Sequence, residues 1–119
     1  MFGVNEYWDA LLSRDGGRIR ALFAPGAEIR WPCTGERFTP GQFAAVNCAY
    51  PGVWDREIER TEESGGLVVC AARVFSEEDG LSFHVVSFLR HDGEKILSLD
   101  EYWGDDGAPP QWRADLVNE

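Results

Sequence analysis

The chain has 119 residues, of which 44% are hydrophobic and 13% aromatic. This length suits one globular domain and is short for two. Twenty-one acidic residues against eleven basic ones leave a net charge of −10, which repels nucleic-acid phosphates and anionic bilayers. No apolar run approaches the roughly 18 residues of a membrane span, and the N-terminus lacks a secretory signal pattern. We expect one cytoplasmic domain, 1–119, without nucleic-acid or membrane partners.

The cysteine and histidine content argues against a disulfide framework or a metal site. Cys33, Cys48 and Cys70 are an odd set without CxxC spacing, so we expect three buried thiols. A metal site needs a close ligand cluster, yet the chain has two histidines and His91 falls in a predicted turn. No phosphate-binding glycine loop is present. We therefore expect no metal and no cofactor.

Two short helices are predicted at the N-terminus. Apolar residues recur at helical spacing over residues 3–14, and the Gly16-Gly17 pair is placed to end that helix. Asp15 is placed to cap a second helix, which Pro25-Gly26 ends. Residues 27–31 then form a short strand.

A third helix has the strongest local signal. Thr39 occupies the N-cap position, Pro40 the first helical position, and Gln42 completes a capping box. The helix is predicted to run to about Tyr50.

The remainder of the domain is predicted to be β-structure. Four strands are expected over residues 53–63, 67–75, 81–90 and 95–103, the first as an edge and the second as a central strand. The order α-α-β-α-β-β-β-β favours an α+β domain with a curved antiparallel sheet wrapped around the third helix. The tail from residue 104 has no periodic pattern, although Trp112 suggests that part of it docks.

Several motifs carry a family resemblance. They are Tyr7-Trp8-Asp9-Ala10-Leu11-Leu12, Asp15, Ile19, Ala21-Leu22-Phe23-Ala24 and Ala27-x-Ile29-x-Trp31-Pro32. With the element order, they resemble the nuclear transport factor 2-like superfamily over about residues 4–104. The likeness is closest to the branch of ketosteroid isomerases and SnoaL-like polyketide cyclases. It implies a cystatin-like α+β cone, an apolar pocket between the helices and the sheet, and often a homodimer through the outer face.

The resemblance also assigns residues to the isomerase positions. A tyrosine that donates to an enolate oxygen corresponds to Tyr7. The aspartate base corresponds to Trp31 and a second, protonated aspartate to Val86, so both carboxyls are absent. The isomerase's own proton shuttle is therefore excluded on this alignment.

The last two strands supply the remaining candidates. If Val86 faces the pocket, the strand period of two brings His84 and Phe88 to the same face. A pocket-lining aromatic of the family corresponds to Trp103, which makes Leu99 and Glu101 inward as well. Glu101 with His84 is similar to the carboxylate–histidine pair of the cyclases, so the predicted catalytic set is Glu101, His84 and Tyr7.

Structural alternatives stand beside these assignments. His84 can be a core histidine bonded to Tyr7 or to a backbone carbonyl, and Glu101 a structural acceptor for Arg37, Trp or Tyr donors. Asn47 and Tyr50 on the third helix can line the pocket, or Asn47 can bond its own preceding turn.

Three functional hypotheses follow. The chain can be a cofactor-free enzyme acting on a small molecule, a binding module for an apolar or aromatic ligand, or a structural dimer whose pocket its own tryptophans fill. An open pocket with Glu101 and His84 facing one point favours the enzyme, and a pocket sealed by Trp31 and Trp103 favours the structural role. The predicted dimer surface consists of outward side chains on the last two strands: Phe83, Val85, Ser87, Leu89 and Tyr102.

Overall fold

The computed structural model describes residues 2–117. A curved, unclosed six-stranded sheet carries helices on its inner face. The elements in chain order are α1 (Val4–Leu12), α2 (Gly16–Ala21), β1 (Phe23–Trp31), β2 (Glu36–Phe38), α3 (Pro40–Ala49), β3 (Asp55–Ser64), β4 (Leu67–Ser76), β5 (Leu81–His91), β6 (Ile96–Asp105) and α4 (Gln111–Val117). The α+β class is confirmed. No helix within residues 2–117 is long and apolar enough to cross a membrane.

The capping box of α3 is confirmed. The Thr39 hydroxyl accepts from the Gln42 backbone N–H at 3.2 Å, and the Gln42 side chain accepts from the Thr39 N–H at 2.9 Å. These two bonds satisfy donors that a helix start otherwise leaves unpaired. On the inner side of α3, Phe43 is fully buried and contacts Phe23 edge to face.

The junction between α1 and α2 differs from the prediction. Arg14, not a glycine, takes the left-handed conformation at φ 60°, and α2 begins at Gly16. Asp15 caps α2 as predicted, because its carboxylate accepts from the N–H groups of Gly17 and Arg18. The glycine pair therefore starts the second helix and does not end the first.

The sheet order is β2-β1-β6-β5-β4-β3. Four of the five pairings are antiparallel, in line with the predicted antiparallel sheet, and the pairing of β1 with β6 is parallel, which was not predicted. β3 is an edge strand as predicted, whereas β4 lies next to it and β5 and β6 occupy the centre. β1 begins at Phe23, before the predicted break at Pro25-Gly26, and its pairing with β6 is irregular between Phe23 and Glu28.

The inward face of β5 is the opposite of the predicted one. Val85, Ser87 and Leu89 are buried, which places His84, Val86 and Phe88 on the outer face. The predicted dimer surface was wrong for the same reason, since of its five residues Tyr102 is exposed while the four on β5 belong to the inner face.

Two further expectations are corrected. Of the three cysteines, Cys70 is buried, Cys48 is partly exposed and Cys33 is exposed. The tail forms α4, but its Trp112 is 65% exposed and does not dock.

Candidate functional site

A buried carboxyl group with three donors occupies the centre of the sheet. Glu101 on β6 is fully buried, and the β5–β6 register sets Ser87 opposite it. Its Oε2 accepts from the Tyr7 hydroxyl at 2.7 Å and from the Ser87 hydroxyl at 2.6 Å. Its Oε1 accepts from the Trp31 indole N–H at 3.2 Å. This cluster, Tyr7–Ser87–Trp31–Glu101, is called the carboxyl network below.

Burial dominates the acidity of this network. Desolvation raises the pKa of Glu101 above its ordinary value, and the bonds from Ser87, Tyr7 and Trp31 oppose that rise. The pKa of Tyr7 is raised well above its ordinary value, first by burial and then by the neighbouring carboxyl. A phenol held protonated beside a carboxyl is a permanent hydrogen-bond donor, so Tyr7 fixes Glu101 in place.

A cavity of about 380 Å³ lies on the same side of the sheet. Five aromatic residues, which we call the aromatic wall, follow one another along its lining: Trp31, Trp103, Phe83, Trp54 and Tyr50. Their successive ring centroids are 6.2, 6.5, 5.7 and 5.6 Å apart, and three of the four contacts are edge to face. Exposed residues such as Val53 and Thr34 complete the lining, so the cavity opens to solvent. The tryptophans form walls and do not fill it.

The carboxyl network lies beside this cavity but outside its lining. Glu101, Tyr7 and Leu99 are not among the lining residues. Trp31 lines the cavity while its N–H reaches Glu101, so its indole stands between the cavity and the carboxyl. The structural alternative for Glu101, an acceptor for Trp and Tyr donors, describes the contacts observed; Arg37 is not one of the donors.

Four of the residues assigned to the ligand pocket line the cavity: Trp31, Asn47, Tyr50 and Trp103. The Asn47 amide also donates to the Phe43 carbonyl at 2.8 Å, which is the bond to its own preceding turn considered above. Val86 and Phe88, on the outer face of β5, do not line it.

His84 lies on the opposite face of the sheet from Glu101, so the predicted acid–base pair is not assembled. Its Nδ1 contacts Asp106 at 2.5 Å and its Nε2 contacts Glu59 at 3.1 Å. The bonds to Asp106 and then Glu59 raise the pKa of His84. Neither form of the core-histidine alternative holds, because His84 is exposed and bonds two carboxylates.

Sequence reasoning missed four contributors to this region. Ser87 was predicted to face outward. Once the inward face of β5 is known, its pairing opposite Glu101 places Ser87 beside the carboxyl group. Phe83 was misplaced by the same error, and Trp54 was not among the predicted pocket residues. Arg14 lines the cavity and its guanidinium bonds the carbonyls of Tyr50 and Gly52, a contact that no local pattern indicates.

Comparisons with known proteins place this architecture in a family. A candidate ketosteroid isomerase from Kribbella flavida has a TM-score of 0.78 and 24% identity, covering 97% of this chain and 84% of its own. An NTF2-like protein of unknown function from Burkholderia xenovorans has a TM-score of 0.76 and 22% identity, covering 98% and 91%. A hypothetical protein with a ketosteroid isomerase-like fold from Catenulispora acidiphila, in complex with trimethylamine, has a TM-score of 0.73 and 20% identity, covering 83% and 82%.

At these identities the structures establish a shared fold and not a shared activity. No curated protein matches the chain. The SnoaL-like domain family model matches residues 4–99, which is most of the chain, and the protein therefore belongs to the SnoaL-like domain family.

Proposed function

We propose that this protein binds a small organic molecule against its aromatic wall and that it does so without acid–base chemistry by Glu101 and His84. The observation that carries the proposal is the open cavity of about 380 Å³, whose lining includes the five rings of the aromatic wall and a sixth aromatic residue, Trp8. Its size lies within the range of about 300–1,000 Å³ typical of ligand sites. The Catenulispora protein of the same fold was crystallised with a small organic molecule, trimethylamine.

The carboxyl network supports the non-catalytic part of the proposal. All three donors to Glu101 come from the protein itself, so a ligand in the cavity meets the indole of Trp31 and not the carboxyl group of Glu101. A general acid or base needs direct or water-mediated reach to its substrate. His84 lies on the other face of the sheet and offers none.

Calorimetric titration with 2-naphthol, a flat neutral probe, tests the proposal. Trp54→Ala removes one ring of the wall, and we expect at least about tenfold weaker binding from the lost aromatic contact. Trp112→Ala is the matched control, because Trp112 is exposed on α4 and is not a lining residue. Equal affinity in both variants would contradict the assignment of the wall as the binding site.

An enzyme of the cyclase or isomerase kind is the second candidate. One indole ring separates the cavity from a buried carboxyl of raised pKa, and displacement of Trp31 would bring Glu101 into reach. If the protein turns over an enolisable or polyketide-like substrate, Glu101→Gln lowers turnover by about 10²–10⁴ while binding is kept. Tyr7→Phe then costs less, because the proton-transfer group stays. Turnover per folded molecule that is unchanged in Glu101→Gln would remove this candidate.

We also propose a cytoplasmic location. The three cysteines are free, as is usual in a reducing compartment. Cell fractionation that recovers the protein outside the cytoplasm would contradict this location.

A further inference from the structure

We propose that the ligand of the aromatic wall is an organic cation of the alkylammonium class. This inference rests on the proposed binding function and adds the charge of the ligand. It depends on three features of the cavity: the kind of ring, the charges beside the rings, and the state of the one basic side chain.

The rings are those that bind cations best. Indole faces attract an ammonium group more strongly than phenyl faces, and the attraction is largest where water is excluded. Four indoles line the cavity, those of Trp8, Trp31, Trp54 and Trp103. Trp8 is buried and the other three are partly buried against the core, which lowers the competition from solvent.

The charges beside the rings have the matching sign. Three ionised side chains line the cavity, namely Arg14, Glu36 and Asp105, so acidic groups outnumber basic ones. Asp105 forms no ion pair within residues 2–117. The whole chain carries a net charge of −10, and such a field raises the local concentration of cations and lowers that of anions.

The basic side chain is already engaged. Arg14 is held in a left-handed backbone conformation at φ 60°, and its guanidinium bonds the carbonyls of Tyr50 and Gly52. These contacts hold Nη2 of Arg14 against the loop after α3, and its single positive charge is outnumbered by the two acidic side chains of the lining. A neutral flat ligand would use the rings but would gain nothing from Glu36 and Asp105.

Choline and its neutral isostere 3,3-dimethylbutan-1-ol separate these possibilities, because they share shape and differ in charge. We expect choline to bind at least about tenfold tighter than the alcohol, from cation–π attraction to several rings. Adding salt should weaken choline alone, since screening acts on its charge. The double variant Glu36→Gln/Asp105→Asn should weaken choline binding several-fold more than it weakens 2-naphthol binding.

Two results would overturn the inference and are distinguishable from each other. If the alcohol binds as tightly as choline, or 2-naphthol binds and choline does not, the cation assignment fails while the binding function stands. If choline, the alcohol and 2-naphthol all fail to bind the folded protein, both the inference and the proposed function fail.

Discussion

Glu101 is the residue whose surroundings decide most about this molecule. A buried carboxyl that accepts three hydrogen bonds is costly to alter, because each donor left unpaired retains its desolvation penalty. Glu101 is fully buried and lies outside the cavity lining, so it does not face a ligand there. We therefore assign Glu101 a structural role, and we assign ligand recognition to the aromatic wall.

Glu101→Gln should destabilise the protein by about 1–3 kcal/mol, because the amide group that replaces Oε1 would face the Trp31 N–H. The folded-state pKa of Glu101 is raised. The stability that Glu101 contributes to the fold is therefore fully present below about pH 4.5 and is lost as pH rises through the folded-state pKa. The stability gap between wild type and variant should therefore narrow from pH 5 to pH 8. Urea unfolding at several pH values measures the gap, and a gap that widens would contradict the raised pKa.

His84 gives the second pH-dependent prediction. Two carboxylates raise its pKa, so the protonated imidazole stabilises the fold below about pH 6.5 and the gain is lost as pH rises through the folded pKa. His84→Gln should remove this dependence. The effect should stay below about 1 kcal/mol, since the side chain is 47% exposed and solvent screens the pairs. A His84 pKa at or below 6.5 by NMR titration would contradict the account.

At the scale of elements, local sequence signals predicted the start of α3 correctly but did not predict which face of β5 is buried. Thr39, Pro40 and Gln42 act within one turn of chain, so their effect is readable from the sequence. In β5 the two alternating faces are both largely apolar: Phe83, Val85 and Leu89 on one side, Val86 and Phe88 on the other. Only pairing with β4 and β6 and packing into the core select the buried face, and neither is a local property.

The parallel pairing of β1 with β6 escaped prediction for a related reason. These strands are separated by most of the chain, and no turn sequence joins them. The resemblance gave the cone and its pocket, whereas residue-by-residue transfer to β5 failed because a shift of one residue exchanges the two faces of a strand. Leu99, Glu101 and Trp103 on β6 were placed on the correct face, since the aromatic that anchored that alignment was in register.

Thr39→Ala should lower the free energy of unfolding by about 1 kcal/mol, because the variant loses the hydroxyl that accepts from Gln42. Thr39→Ser keeps the hydroxyl and should retain most of the stability. Chemical denaturation of the two variants measures the difference. Equal losses in both would show that the capping box does not stabilise α3.

At the scale of the whole molecule, an apolar area lies on the outer face of the sheet. Its residues are Val69, Ala71, Val86, Phe88 and Tyr102, which the strand register makes neighbours. Phe88 and Tyr102 are 38% and 44% exposed and their ring centroids are 5.9 Å apart. Exposed apolar areas of this kind favour association.

We therefore predict a homodimer through this corrected face, with identical areas in contact about a twofold axis. Phe88→Glu introduces charge into the contact and should shift the protein to monomer without unfolding it. Light scattering at micromolar concentration measures the mass. A wild-type mass near 13.4 kDa would contradict the dimer.

The central claim is that the aromatic wall holds the ligand, and NMR of the five indole N–H groups tests it most directly. In protein labelled with ¹⁵N, 2-naphthol and choline are each added while the indole signals are followed. We expect shifts for the four lining indoles, Trp8, Trp31, Trp54 and Trp103, and none for Trp112, whose ring lies on the exposed tail helix. Shifts confined to Trp112, or a bound probe that leaves the three wall signals unchanged, would contradict the central claim.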